Sequence, residues 1–475
     1  MLSPIRKISF VAVAVFGLVV VQQAKAESQS SVLTLNKAKE IAVQQSPTLG
    51  AAQERITQAS WRIREAAAKY YPNLRFVSSA TGYLRTPITD RNVSQGRSSD
   101  PYVLFGNYLE STWVVFDGFQ RKFEKINAQH QARVARSLLA DEHRLLALSV
   151  AKAYSGVMMA RENVRLAGER LKLQEDLVES FSGPVDGVDT SRSVGDVDSE
   201  YAQVAELERL REEIVTAKLD EEIARMVLAE LMNDSSGRIE SEISEVPTLS
   251  KEFRSKIAST EDTYAIYSAL SKRQDLEAAS ARISGRGALI KVEKASGMPR
   301  VILEARAGYQ SVDNYSFNKD NQDVYGGIRV EWDIFDGNLR RARVKEAEAA
   351  EREATQELMA KTAQVRREVL VARAQVRSSM VIVDGRLKAL QTASSKRDQV
   401  RERLQAGIAT NTEMAFAEQL LVSEKARMSA ASIEVLSAYE NYMAAIAENL
   451  PAPKKVAIVT VEPAKKAKKS KSGKK

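Results

Sequence analysis

The chain has 475 residues, no Cys, and a formal charge of +8 from 70 Lys and Arg against 62 Asp and Glu. The missing Cys excludes a disulfide framework, a lipidated N-terminal Cys and a thiolate metal site. The charge sits at the two ends: residues 454–475 hold nine Lys and one Glu, Arg6, Lys7 and Lys25 add +3, and the remainder is net −3, so the pI comes from a tail and gives no nucleic-acid-binding face.

Residues 1–26 read as a secretory signal peptide. Arg6 and Lys7 form the charged start, residues 10–21 are apolar, and Ala24-Lys25-Ala26 fits the small-x-small cleavage rule, with cleavage after Ala26. The apolar run is short of the roughly 20 residues that a spanning helix needs. An exported chain with no later apolar run of that length can enter a membrane only through strands.

Two structural repeats follow, at 27–232 and 262–450, joined by a mixed connector at 233–261. In the first, Leu35 to Lys69 is helical, with Thr34 as its cap and a bend at Pro47. Strands are predicted over 74–84 and 102–116, with a polar loop between them. Leu74, Phe76 and Ala80 share one face of the first strand; Val103, Phe105, Leu109, Trp113 and Val115 alternate with Tyr108, Glu110 and Thr112 in the second. A long helix over 118–181 comes next, free of proline. Val150, Val157, Val164, Leu171 and Val178 recur every seven residues along it, the pattern of a coiled-coil seam. Ser182-Gly183-Pro184 breaks it, and a Gly/Asp-rich turn leads through Gly195 to a returning helix over 196–232.

The plan then repeats. Leu276, Ala279, Ile283 and Pro299 lie 227 positions after Leu49, Ala52, Ile56 and Pro72; Trp332, Phe335, Asp336 and Gly337 lie 219 after Trp113, Phe116, Asp117 and Gly118. This is an internal duplication. Its second copy holds a helix to about Ala295, strands over 300–310 and 323–335, a helix over 339–405, a turn from Gly407, and a helix over 411–450. Pro451 and Pro453 stop it, and the Lys-rich 451–475 reads as disordered. Each long helix matches the summed length of its two shorter companions. The simplest packing is a rod two helices thick, with strands at one end and the helical turn at the other.

Each strand offers about the ten alternating residues that a tilted strand needs to cross a bilayer. One face is apolar; the other carries Arg306, Arg329, Glu331 and Asp333. These line a barrel lumen or form salt links on the wet face of a soluble sheet. Trp113 and Trp332 suit an interface girdle. Four strands leave two open edges, which hydrocarbon does not tolerate, so a barrel needs several chains.

On these features the chain resembles the TolC family of outer-membrane channel proteins, over nearly all of 32–450. The resemblance rests on the duplicated helix–strand–strand–long helix–helix plan and on the paired motifs Phe116-Asp117-Gly118 and Phe335-Asp336-Gly337 at strand-to-helix junctions. It implies a mainly α fold with transmembrane β: a homotrimer with a 12-stranded β-barrel in outer-membrane lipid, continued by a periplasmic helical coiled-coil barrel. It also implies docking onto a periplasmic adaptor joined to an inner-membrane ABC exporter or proton-driven pump. The docking turns would hold Gly195, Asp196 and Val197 in the first repeat, and Gly407 and Thr410 in the second. Glu413 matches an acidic position at the family's periplasmic entrance, while Phe416 stands where a second acid is usual. A ring of carboxylates would favour cations; the alternative role for Glu413 is a helix-start carboxylate. Asp117 and Asp336 suit turn fixing.

No phosphate loop, zinc pattern or nucleophile motif is found, so no enzyme activity and no cofactor are expected. The leading reading is a passive exit duct. Its cargo is read first as protein through type I secretion, on the missing lipidated Cys, the long polar first turn and the basic tail. Multidrug or metal efflux is the alternative, and a non-channel periplasmic coiled coil is the alternative of another class.

Overall fold

The computed structural model describes residues 32–83, 101–182, 194–239, 241–244, 261–312 and 318–449, side chains of 180–182 and 194–201 excepted. The expected cleavage site at Ala26, the first turn over 183–193, most of the connector and the basic tail lie outside these residues.

Thr34 opens α1 (Leu35–Gln45) by accepting the Lys37 N–H. Ser46 then breaks the helix with an extended backbone and caps α2 (Pro47–Ala68) by accepting the Leu49 N–H, with Pro47 in the first turn. Proline fits there because its missing N–H has no helical partner at that position anyway. The second repeat breaks 227 positions later, at Arg273, between α5 (Asp262–Lys272) and α6 (Gln274–Ala295). Arg273 has φ −69 and ψ 121, close to the φ −63 and ψ 118 of Ser46. The sequence predicts one helix running to about Ala295, and the structure shows two, broken at Arg273. Proline is not the cause; the Arg273 guanidinium is buried and held by Asp275 at 2.8 Å and Glu368 at 2.6 Å.

The long helices are α3 (Gln120–Ser182, 63 residues) and α7 (Leu339–Gln405, 67 residues), each roughly 95–100 Å long at 1.5 Å per residue. Their partners are α4 (Val194–Met232) and α8 (Asn411–Ala445). As the lengths imply, α1, α2 and α4 lie along α3, and α5, α6 and α8 lie along α7; α3 also packs on α6 and α8, which joins the two repeats. The core is thin and rich in Ala and Val. Val150, Tyr154 and Val157 of α3 meet Leu228 of α4 and Ile433 of α8, while Val365, Val369 and Val376 of α7 meet Tyr442 of α8. Of the heptad residues, Val150 and Val157 are fully buried, whereas Val164, Leu171 and Val178 are half-buried. Farther along, Gln174 fills the seam and donates its amide to Gln203 Oε1 at 2.8 Å.

At the other end, β1 (Asn73–Tyr83), β2 (Tyr102–Phe116), β3 (Arg300–Val312) and β4 (Gln322–Glu331) form one antiparallel sheet in the order β1-β2-β3-β4. β4 was expected to reach Phe335. It ends at Glu331, the partner of Arg300, because β3 offers no earlier residue to pair with. Asp333 therefore lies beyond the strand. Among the described residues no helix is long and apolar enough to cross a membrane.

Candidate functional site

Register decides which side chains share a face. Arg75 pairs with Glu110, Glu110 with Arg306, and Arg306 with Tyr325, a row that crosses all four strands. Arg75 Nη2 donates to Glu110 at 2.7 Å. Arg306 donates to Asp323 and its guanidinium stacks over Tyr108 and Tyr325, at 4.8 and 5.1 Å. One row on, Arg329 bridges Glu304 on β3 and lies 3.6 Å from Glu331. Arg306, Arg329 and Glu331 thus share one polar face, with Glu110, Glu304 and Asp323 as counter-charges that the sequence reading did not single out. The cross-strand pairing could have indicated them once β2 and β3 were placed side by side.

The opposite face is apolar and bare. Leu74 and Phe76 of β1, Leu109 of β2, and Val324 and Ile328 of β4 point from it, and Ile328 is 71% exposed. A water-soluble sheet buries its apolar face and wets its polar one. Here the apolar face has no covering layer among the described residues, and both edge strands are open. Trp113 and Trp332 stand near the base of this face, and each indole N–H donates to a backbone carbonyl, of Tyr70 at 2.9 Å and Gly297 at 3.1 Å. Those acceptors are 227 positions apart, so the duplication extends to the anchors.

Below the sheet, both Phe-Asp-Gly motifs turn the chain into a long helix. Gly118 and Phe119, like Gly337 and Asn338, are two successive residues with positive φ, between 64° and 70°. The Asp carboxylate accepts the N–H four residues on, from Arg121 at 3.1 Å or Arg340 at 2.9 Å. Backbone hydrogen bonding holds the Asp336 carboxyl below the usual range. The first junction is the tighter one. Arg121 Nε meets Asp117 at 2.6 Å, and its other nitrogens donate to the carbonyls of Lys69, Val114 and Val115, which ties α2, β2 and α3 together. Phe116 is partly exposed and stacks edge-on with Phe119, while Phe335 is 84% exposed. The sequence reading missed Arg121 and Arg340; their shared offset of 219 was the available signal.

At the far end, α7 stops at a left-handed Gly407, φ 72°. The Gly407 N–H donates to the Leu404 carbonyl and the Ile408 N–H reaches back to Arg403 at 2.8 Å, a Schellman cap. Ile408 is left 69% exposed. Thr410 caps α8 by accepting the Glu413 N–H at 3.2 Å, and the half-exposed Glu413 carboxylate lies 3.9 Å from Arg403. In the first repeat, Gly195, Asp196 and Val197 fall inside the first turn of α4 rather than in the turn before it. The structure therefore brings Gly407, Thr410 and Glu413 together, a whole helix length away from the charged sheet face.

The sequence profile of the family described as "Outer membrane efflux protein" matches residues 39–231 and 265–448. The chain belongs to that family. No curated protein matches the chain significantly. Several solved structures share the fold. The outer membrane protein VceC from Vibrio cholerae is 20% identical, with 87% of this chain and 95% of that chain covered and a TM-score of 0.71. The CmeC outer membrane channel of Campylobacter jejuni is 16% identical, with 88% and 87% covered and a TM-score of 0.71. The open state of the MtrE outer membrane channel of Neisseria gonorrhoeae is 17% identical, with 88% and 89% covered and a TM-score of 0.71. At these identities the likeness is one of fold. By family the protein is an outer membrane efflux channel.

Proposed function

We propose that the chain is one third of an outer-membrane exit duct in a tripartite export machine of a Gram-negative cell. The observation that carries this is the sheet, with its apolar face bare, its polar face charge-paired and both edges open. Three copies would place β4 of one beside β1 of the next and close 12 strands, which satisfies every edge hydrogen bond. The helices would continue that barrel across the periplasm. The tips around Ile408 and Thr410 would meet a periplasmic adaptor, itself joined to an ABC exporter or a proton-driven pump. The duct does no chemistry of its own, and its energy comes from the pump. A non-channel coiled coil has no use for such a sheet.

A ring of three Glu413 carboxylates near the tip would narrow the entrance and favour cations. Glu413→Ala should raise single-channel conductance and weaken cation preference; unchanged values would remove Glu413 from the gate. For the cargo, the polar first turn and the basic tail favour protein passing by type I secretion, whereas the family's description as efflux proteins favours small molecules. Deleting the gene and comparing secreted proteins separates the two. Loss of one large secreted protein, restored by complementation, marks type I secretion. An unchanged secretome with new drug or metal sensitivity marks efflux.

A further inference from the structure

The charged face of the sheet continues down onto the helices. Asn73, Thr112 and Arg300 alternate onto the same side of their strands as Arg75, Glu110 and Arg306. They line one cavity with Lys69 at the end of α2 and with Gln120 and Glu124 of α3. Seven residues make about two helical turns. Arg62, seven before Lys69, and Gln131, seven after Glu124, therefore stay on that face, and Asn127 stands between the latter two. These three residues line a second groove, of about 470 Å³, together with Arg282 and Arg286 of α6 and Glu353 and Glu357 of α7.

Packing sets the heights within this groove. The Lys69–Glu124 and Arg55–Glu142 pairs place α2 against α3, which brings Arg62 beside Gln131 and Val134. The Arg133–Glu277 pair and the close approach of Gly285 to Asn127 place α6 against α3, which brings Arg282 between Asn127 and Gln131. Arg62 and Arg282 thus flank α3 at nearly one height. Neighbouring helix axes lie 8–10 Å apart, so roughly 16–20 Å separates the axes of α2 and α6, and two arginine side chains can lean toward each other across α3. Lys69, Arg55 and Arg133 are paired. Arg62, Arg282 and Arg286 are exposed and form no ion pair among the described residues, and the Asn127 and Gln131 amides form no hydrogen bond there. A Cβ on Gly285 would stand 3.1 Å from Asn127 Oδ1, so the missing side chain leaves that amide room.

We propose that this groove is a cargo-binding site for small organic acids with an apolar body, such as aryl carboxylates or sulfonates. A guanidinium fork matches the oxygens of such a group. The acid group lies over α3 between Arg62 and Arg282, where the Asn127 and Gln131 amides donate to it, and Val134 and Leu289, which also line the groove, take the apolar body. Glu353 and Glu357 bound the α7 side and repel a second negative charge, so monoanions are favoured over dianions. Contacts this exposed are weak singly, which suits a duct, where cargo must leave as well as enter. The inference rests on the exit-duct reading, which makes this face the lumen wall, and it adds the chemical class of a small-molecule cargo. Glu413 does not oppose it. From Glu357 to the end of α7 at Gln405 is roughly 70 Å, far beyond the ~8 Å over which exposed charges act at physiological salt.

The test is single-channel recording of the full chain in planar bilayers of uncharged phosphatidylcholine, with naphthalene-2-sulfonate as the probe. The Glu413→Ala background is used beside wild type. Reversible interruptions of the current are expected, more frequent as the probe concentration rises and absent with inorganic sulfate, which lacks the apolar body. The triple variant Arg62→Gln, Arg282→Gln, Arg286→Gln should keep its conductance steps and need at least tenfold more probe for the same block. Glu353→Gln with Glu357→Gln should need less probe, and should admit naphthalene-2,6-disulfonate as a blocker. Lys291 and Lys294 line a groove on the opposite face of α6, and changing both to Gln should leave the block as in wild type. Conductance steps with no block, or a block equal in the triple variant, would overturn the proposal and leave the duct reading standing. A block lost with Lys291 and Lys294 instead would overturn it by placing the other face in the lumen. Protein that inserts and gives no steps in either background would overturn both.

Discussion

Gly118 and Gly337 occupy the same place in the two repeats, and the structure predicts that they do not tolerate the same change. Both have φ near +65°, so alanine at either site costs about 1–2 kcal/mol of backbone strain. Their surroundings differ. A Cβ on Gly118 would lie 2.4 Å from the Met298 Cβ and 2.8 Å from the Ala295 carbonyl oxygen, whereas one on Gly337 meets nothing within 4 Å. The Ala295 carbonyl is backbone at the end of α6 and cannot swing aside as a side chain tip can. Overpacking of this kind adds about 1–3 kcal/mol. Gly118→Ala should therefore destabilise by about 2–5 kcal/mol and Gly337→Ala by about 1–2 kcal/mol, summing the two costs. Urea unfolding of the detergent-solubilised protein reads the difference as a shift in midpoint at unchanged slope. Equal losses, or a greater loss for Gly337→Ala, would refute the close approach of α6 to the first junction.

Two further predictions concern buried charge. Asp117→Ala strands the Arg121 guanidinium, whose side chain is 11% exposed, and should cost about 3–5 kcal/mol in the same unfolding assay; the double variant Asp117→Ala, Arg121→Met should lose less, because no unpaired charge stays buried. At the α5–α6 break, burial pushes the Asp275 and Glu368 carboxyls up, but hydrogen bonds and charge from Arg273 outweigh it and hold both below the usual carboxylate range. Depressed folded values mean that this stabilisation is complete above the ordinary carboxylate range and is lost as pH falls through the folded values. Stability measured down an acid series should drop in wild type below that range, and Asp275→Asn should flatten the drop; an unchanged slope would remove the cluster from acid sensitivity.

The duplication was legible because its landmarks are residues with few substitutes. Trp, Pro and the Phe-Asp-Gly turns mark junctions where only certain backbones fit, so two offsets, 227 and 219, carried most of the fold. The long helices were legible from length without proline and from the seven-residue seam at Val150 and Val157. What escaped was set by distant partners. The break at Arg273 carries no proline signal, and one of the two carboxylates that hold its buried guanidinium, Glu368, lies on another helix. The end of β4 at Glu331 depends on where β3 begins. Asp333 kept the alternation of the strand but had no residue opposite to pair with. The counter-charges Glu110, Glu304 and Asp323 became evident only through register. At the tip, Gly407 and Thr410 were readable as turn and cap residues, while the starting point of α4 before Gly195 was not, because a Gly/Asp-rich stretch gives no sharp helix start.

A chain of this design is expected to build a pore. The most direct test is single-channel recording of the purified full chain, wild type and Glu413→Ala, in planar lipid bilayers. Discrete conductance steps of uniform size are expected, small or brief in wild type and larger in Glu413→Ala. Folded, helical, membrane-associated protein that gives no discrete steps in either form would contradict it.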